Sequence, residues 1–190
     1  NRAQELDRCF EALRAQTIDS SLFEVIVADD GSTDDTPGVL ARWASAWPLL
    51  RFVRQKNAGP AAARNTGVAS ARFGLIAFID DDCIADPDWL ERIRRNFVSG
   101  FSGCLYGPVH SSLPSSTFVH SVVSDGSMIT ANLSIPKAAL ERIGGLDVRG
   151  ELLEHPLIRG EVDPLPGREP EVVTAVRAHP DRLVQLLPAQ

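Results

Sequence analysis

Apolar positions along the chain switch repeatedly between a helical spacing and short unbroken runs. Leu6, Cys9, Phe10 and Leu13 recur at helical spacing with Arg and Glu between them, so the first residues predict a helix. Phe23 to Ala28 is short, apolar and rich in branched residues, and predicts a strand. Asp29 to Asp35 is a turn-rich loop, in which Thr33 or Asp34 is placed to cap the next helix. Pro37 suits the first turn of that helix, Val39, Leu40, Trp43 and Trp47 mark its inner side, and Pro48 ends it. A second strand is predicted over Leu49 to Val53, a loop over 55–60, a small-residue helix over Ala61 to Ala71, and a third strand over Phe73 to Ile79. Asp86 is the predicted cap of the following helix, with Pro87 at its first position and Ile93, Phe97 and Val98 facing inward until Gly100 to Gly103 stop it. Strands are predicted over Cys104 to Val109, Phe118 to Val123 and Met128 to Ile135, with a Ser/Pro-rich loop at 111–116. A short helix over Lys137 to Ile143 is stopped by Gly144 and Gly145.

After Asp147 the periodicity fades. Pro156, Pro164, Pro166 and Pro170 break up 151–171, and Val172 to Leu187 reads either as a helix interrupted at Pro180 or as a strand and a tail. No repeat and no second domain is visible, so 1–190 is taken as one domain with 148–190 irregular. The alternation of helix and strand up to Val109 predicts an α/β fold: a mostly parallel central sheet with helices on both faces.

The composition changes this picture little. The chain has 190 residues, 44% apolar and 23% charged, which is ordinary for one globular domain with a good core. A net charge of −6 and the lack of a Lys/Arg cluster argue against nucleic acid as a partner. Cys9, Cys83 and Cys104 are widely spaced and odd in number, which fits a reducing compartment and gives no metal-knuckle spacing. Cys83 is read as a small filler. His110, His120, His155 and His179 share no metal-ligand spacing. No apolar run approaches the roughly 18 residues that span a bilayer, and neither a membrane span nor a signal peptide is expected.

The chemistry gathers where two strands end. The run Leu75 to Ile79 stops abruptly at Asp80-Asp81-Asp82, and Val25 to Ala28 stops at Asp29-Asp30-Gly31-Ser32. In open α/β sheets, ligands bind in the crevice outside the carboxyl ends of the strands. Three adjacent carboxylates repel one another and call for solvent, a cation or raised pKa values. A hard divalent cation with a phosphate-bearing substrate answers that demand. Neither a dinucleotide-binding nor a P-loop glycine motif occurs. Asn57, Gly59, Arg64 and Asn65 lie on the element between the two acidic ends, and carboxylates accept from a base N–H or ribose hydroxyls. Together the parts suit a nucleoside-diphosphate site without a P-loop. Each also has an ordinary reading, as a solvated acidic turn, a helix cap or a surface charge; the ordered set outweighs these.

Three segments in order, Val25 to Thr36 (VIVADDGSTDDT), Asn57 to Gly67 (NAGPAAARNTG) and Phe78 to Cys83 (FIDDDC), resemble the family 2 glycosyltransferases of GT-A fold. A fourth, Thr130 to Ser134 followed by Lys137 to Asp147, is similar to the segment before that family's catalytic loop. The resemblance covers 1–147. It implies an inverting transfer of a sugar from a nucleoside-diphosphate donor, UDP- or GDP-linked, to a hydroxyl on a carbohydrate or lipid-linked acceptor. It implies that Asp29 and Asp30 face uracil or ribose, that Arg64 faces the base, and that Ser32, Asn57, Gly59, Asp80 and Asp81 complete the donor site. Asp80 and Asp82 match the outer positions of the family's D-x-D, which holds magnesium or manganese and the diphosphate. A cytoplasmic location, peripheral at the inner face of the membrane, and a role in cell-envelope polysaccharide synthesis follow from the same resemblance.

Two features depart from the pattern. Family members begin with a central strand of the type apolar-apolar-Pro-Thr/Ser-Tyr-Asn, whereas this chain begins at Asn1-Arg2, where that strand should just have ended. The expectation is an N-terminally truncated piece of a longer protein, with two unpaired strand edges in its core. The family's catalytic carboxylate stands in a Glu-Asp-x-Asp-Leu run that takes the acceptor's proton. The nearest match here is Gly160 to Leu165 (GEVDPL), which nominates Glu161 and then Asp163; Glu151 and Glu154 lie nearer Gly145 without the flanking pattern. The alternative reading is a degenerate, non-catalytic module that binds nucleotide or a partner protein. A nucleotidyltransferase is disfavoured, because no Gly-rich strand-to-helix loop carries a basic residue for a triphosphate.

Overall fold

β1 (Phe23–Asp29) is buried along its whole length, and everything else is arranged around it. The computed structural model describes residues 3–99, 103–107, 131–146, 172–178 and 185–189. In chain order α1 (Ala3–Arg14) precedes β1, which is followed by α2 (Thr36–Ala46), β2 (Leu50–Arg54), α3 (Pro60–Ser70), β3 (Leu75–Asp80) and α4 (Trp89–Val98). Then come β4 (Leu105–Tyr106), β5 (Asn132–Pro136), α5 (Lys137–Arg142), β6 (Val172–Ala178) and β7 (Gln185–Ala189).

The strands form one seven-stranded sheet in the order β2-β1-β6-β7-β3-β5-β4. β2, β1, β6 and β3 run parallel, while β5 lies antiparallel to β3 and β4 antiparallel to β5. A parallel sheet must be covered on both faces, and this one is. α1, α2 and α4 pack Leu6, Phe10, Leu40, Trp43 and Leu90 against Val25, Val27, Leu75 and Ala77. α3 and α5 pack Ala61, Val68 and Leu140 against Ile26, Ile76, Phe78, Leu133 and Ile135 on the other face. The alternation of inward positions along β1 and β3 assigns each residue to one layer. The expected α/β architecture therefore holds.

The expected pair of open edges in the core does not. β6 lies between β1 and β3, pairing with β1 from Phe23↔Val172 to Asp29↔Ala178 and with β3 from Leu75↔Val172 to Ala77↔Thr174. β7 pairs with β3 at Ile79↔Leu186 and Asp80↔Gln185. Of the two readings left open for 172–187, strand is correct at 172–178, and a second strand replaces the tail.

Local signals shift by a residue or two. Asp34 does serve α2, since its Oδ1 accepts from the Thr36 N–H at 3.1 Å, although the position just before the helix is Asp35. Hydrogen bonding by the Thr36 side chain first, and by its N–H to a lesser degree, holds the Asp34 carboxyl below the usual range. Asp86 does not cap α4. The helix begins at Trp89 after Asp88, and the Asp86 carboxylate is taken by Arg92 at 2.7 Å. The orphan donor at Leu90 is satisfied by the Gln16 side chain, just beyond the end of α1, which also donates to the Asp86 carbonyl. The predicted strand over 118–123 lies outside the described residues. Those over 104–109 and 128–135 are described only in part, as β4 and β5.

Glu24 is a fully buried acid near the start of β1. Its carboxylate binds Arg51 of β2 and both the backbone and guanidinium of Arg72, fastening the N-terminal ends of β1, β2 and β3. Its partners are half exposed, so the charge is compensated without being sealed from water.

Candidate functional site

Both acidic runs leave the sheet at the same end and the same height. Through β6, Phe23 and Leu75 are level, both standing opposite Val172. Counting up from there, Ala28 and Asp29 are level with Asp80 and Asp81. At this end β6 lies beside β1 and β7 beside β3, where Leu186 and Gln185 pair with Ile79 and Asp80, so both strands stand between the two acidic runs. The result is a cleft rim with carboxylates on both sides.

On the β1 side the carboxylates are turned inward. Asp29 Oδ1 accepts from the Ser32 N–H at 2.9 Å, closing a tight turn, and Oδ2 lies 3.2 Å from Arg54 Nε. Gly31 adopts φ +82 in that turn, and a Cβ there would stand 3.0 Å from the Asn57 backbone nitrogen. Glycine is thus required by both conformation and space. Asp30 is fully buried and accepts from Gln55 Nε2 at 2.7 Å, Ala58 N–H at 2.9 Å and Gly59 N–H at 3.0 Å. It fixes the loop that carries Asn57 and Gly59 and opens α3. Asn57 is exposed at the loop's tip, and Gly59, at φ +92, precedes the first turn of α3. Arg64 lies on α3 and is 5% exposed. The Ser32 hydroxyl is buried with no hydrogen-bond partner among the described residues.

On the β3 side the triplet alternates. Asp80 is half-buried, Asp81 fully buried and Asp82 exposed. The Cys83 N–H donates to the Asp80 carbonyl at 2.9 Å, and the Cys9 thiol of α1 reaches the same carbonyl at 3.7 Å. Cys83 is pushed up to about 12 by burial and then by the charges of Asp80 and Asp82. Cys9 is raised by burial first and by Cys83 and the three carboxylates after it.

Asp80 and Asp82 offer hard carboxylate oxygens, one half-buried and one open to solvent. Among the described residues no three His, Cys, Asp or Glu side chains converge to enclose a metal. Two carboxylates suit the manner in which magnesium is held, through one or two protein oxygens with water and substrate phosphates completing the shell. The donor set fits such an ion.

The structure thus brings Asp29, Asp30, Ser32, Asn57 and Gly59 together and sets Asp80, Asp81 and Asp82 opposite them. Glu161 and Asp163 lie outside the described residues. Three participants, Gln55, Arg54 and Trp89, had no signal in the sequence, while Asn65 is named there by its place between the acidic ends. Gln55 bridges Asp30 and Thr66, Arg54 joins Asp29 and the Ser32 carbonyl, Trp89 donates its indole N–H to Asn132, and Asn65 binds Leu146. Of these, only Asn65 stands inside a segment already singled out.

A model of the family described as Glycosyl transferase family 2 matches residues 1–145. Glycosyltransferase AglE of Haloferax volcanii is 36% identical over 93 residues, 48% of this chain and 31% of that protein. Putative glycosyltransferase EpsH of Bacillus subtilis is 39% identical over 87 residues, 46% of this chain and 25% of that protein. Chondroitin synthase of Pasteurella multocida is 28% identical over 144 residues, 75% of this chain and 14% of that protein. The chain thus spans a third or less of these relatives' lengths. Among solved structures, S. aureus TarS 1–349 in complex with UDP superposes with a TM-score of 0.66 at 17% identity, covering 78% of this chain and 48% of that one. Mannosyltransferase PcManGT from Pyrobaculum calidifontis, in complex with GDP-Man and Mn2+, superposes with a TM-score of 0.63 at 22% identity, covering 78% and 45%. The likeness to these structures establishes the fold. Among the described residues no helix is long and apolar enough to cross a membrane.

Proposed function

The chain belongs to glycosyl transferase family 2, and from that premise we propose that it binds a nucleoside-diphosphate sugar in the cleft between β1 and β3 and transfers the sugar, with inversion, to a hydroxyl acceptor. The observation that carries this reading is the pair of acidic strand ends, level with each other at the carboxyl end of the sheet. That placement suits a nucleoside at one rim and its diphosphate at the other. UDP and GDP are the candidate carriers; TarS is solved with UDP and PcManGT with GDP-Man.

Each residue has a distinct task. Asp30 holds the 55–59 loop, so that Asn57, Gly59 and the start of α3 present a fixed wall to the nucleoside. The buried hydroxyl of Ser32, without a hydrogen-bond partner among the described residues, lies beside that wall and is placed to meet ribose or base. Arg64 on α3 faces the base. Asp80 and Asp82 would hold a magnesium or manganese ion with Asp81 behind them, and such an ion supplies Lewis-acid neutralisation of the leaving diphosphate. The acceptor hydroxyl loses its proton to a carboxylate as it attacks the anomeric carbon. Glu161 is assigned that role, with Asp163 second.

The test is calorimetric titration of UDP and GDP, with and without manganese, into the chain and into an Asp80→Ala/Asp82→Ala variant. Metal-dependent binding that disappears in the variant is the expected result. Metal-dependent binding that survives in the variant would refute the assignment of those carboxylates. No nucleotide binding by the folded chain would refute the donor site.

A further inference from the structure

A cavity of about 220 Å³ lies between α4 and the β5–β4 margin of the sheet. Residues opposite one another on paired strands put their side chains on the same face. Asn132 stands opposite Ile79 and Ser134 opposite Ala77, and both of those partners belong to the layer that α4 covers. Asn132 and Ser134 therefore project toward α4, and both line the cavity. Trp89 and Ile93, one turn apart on α4, and Leu105 of β4 supply its apolar lining. The Trp89 indole N–H donates to Asn132 Oδ1 at 2.9 Å, which fixes the direction of that amide. A Cβ on Gly107 would collide with the same amide, so glycine there keeps its place open. Ser134 is 1% exposed.

This lining suits a sugar ring. The ring offers a flat C–H face, which packs on an aromatic or aliphatic surface. Its hydroxyls each donate and accept, and amide and hydroxyl side chains can do both. The rim disfavours an anion: the Arg92 guanidinium is already taken by Asp86 and Asp88, each at 2.7 Å. The volume lies below the roughly 300 Å³ at which pockets for drug-sized ligands begin. A single neutral ring fits these limits, and a nucleotide does not.

The cavity also stands on the side where the reaction would need it. With the nucleoside at β1 and the diphosphate at β3, the same line across the sheet continues to β5 and β4. The donor's own sugar is joined directly to the diphosphate and stays at the level of Asp80. The cavity instead runs down beside β5 to Ser134, level with Ala77. Ala77 is three residues before Asp80, about 10 Å lower along the strand. A ring seated there belongs to a second molecule.

We propose that this cavity is an acceptor subsite: it seats a neutral sugar ring against Trp89, with Asn132 and Ser134 meeting the ring's hydroxyls, so the acceptor is a carbohydrate. This deepens the glycosyltransferase reading and rests on it.

The probes are the methyl glycosides of glucose, galactose, mannose and N-acetylglucosamine, added alone and with UDP or GDP and manganese. Affinity is read by saturation-transfer NMR and the site by tryptophan fluorescence. At least one glycoside is expected to bind with a Kd of about 1 mM, the scale for a ligand of this size. The fluorescence response should vanish in Trp89→Phe. Ser134→Ala, which removes one hydroxyl, should weaken binding roughly 5- to 10-fold. Asn96 lines the mouth of the cavity and is exposed, so Asn96→Trp fills the mouth without touching the core. That variant should lose glycoside binding while UDP and GDP bind as before. No glycoside binding by the folded chain under any of these conditions overturns the proposal, as does binding that Asn96→Trp leaves intact. A Trp89 response to hexose-linked UDP or GDP, without one to glycosides, overturns it by seating the donor's own ring in the cavity. Failure of UDP and GDP to bind overturns the donor reading, and with it the acceptor role, even where glycoside binding persists; the two failures are read on separate ligands.

Discussion

Replacing Asp30 with asparagine exchanges one acceptor oxygen for an NH2 group at a fully buried position. Three donors now converge on the carboxylate: Gln55 Nε2, Ala58 N–H and Gly59 N–H. An asparagine that keeps its oxygen toward Gln55 and Ala58 turns its NH2 toward Gly59, donor against donor. The alternative orientation leaves two donors unmet, so the first is adopted. The loss is one charge-assisted hydrogen bond and one buried backbone donor left without an acceptor, together about 2–3 kcal/mol. For a domain of this size that corresponds to a fall in Tm of roughly 5–10 °C. The loop should also loosen where it presents Asn57 and Gly59 to the nucleoside, so nucleotide affinity should fall with stability. Differential scanning calorimetry of the folded variant and titration with UDP and GDP measure both. A Tm within a degree or two of the unchanged chain, with affinity intact, would refute the claim that Asp30 organises the loop. Loss of affinity at unchanged Tm would instead place Asp30 in direct contact with nucleotide.

Glu24→Gln removes the buried charge that fastens Arg51 and Arg72, and because both arginines are half exposed the expected cost is held to about 2 kcal/mol. Urea unfolding should show a lower midpoint at unchanged slope, with nucleotide binding untouched, since these contacts lie at the opposite end of the sheet. Burial pushes the Cys104 thiol up to about 11 and holds Cys9 above its ordinary value as well. With about one thiol in a thousand ionised at Cys104 at pH 8, alkylation by iodoacetamide is expected to be slow in the native chain, to accelerate as pH rises toward 11, and to become rapid at both cysteines in guanidinium. Rapid native labelling of Cys104 at pH 8 would contradict the burial that raises it.

The strands that carry the site were legible because each is an unbroken apolar run cut off by acids, a pattern that needs no tertiary context. β1 and β3 fall close to where Phe23 to Ala28 and Phe73 to Ile79 placed them. β6 was not legible as a strand, since Val172 to Ala178 has a mixed apolar pattern that a helix accommodates equally well, and its conformation is decided by the slot between β1 and β3. The cap of α4 was misplaced for a similar reason: Asp86 and Asp88 are equally good capping residues, and the Gln16 side chain, from the loop after α1, supplies the bond that favours a start at Trp89. The acids of the candidate site could be named from the sequence. Their surroundings could not, because Asp30 is held by backbone amides, which leave no mark in residue type. The partner of Asn65 lies 81 residues away, beyond the reach of any local pattern.

The position of β6 sets an order of events in folding. β1 ends at Asp29 and β3 at Asp80, yet the strand that joins them begins at Val172. The two inner edges therefore wait for a segment that emerges from the ribosome long after both are made. At typical rates of synthesis the interval between Asp80 and Ala178 is roughly 5–20 s. During that time two apolar strands present unpaired edges, the kind that seek strands from other chains. Closing the sheet then needs a contact of large sequence separation, which places this domain among slow folders. The cleft rim takes its spacing from that closure, so binding competence should appear only with the last, slowest phase of refolding.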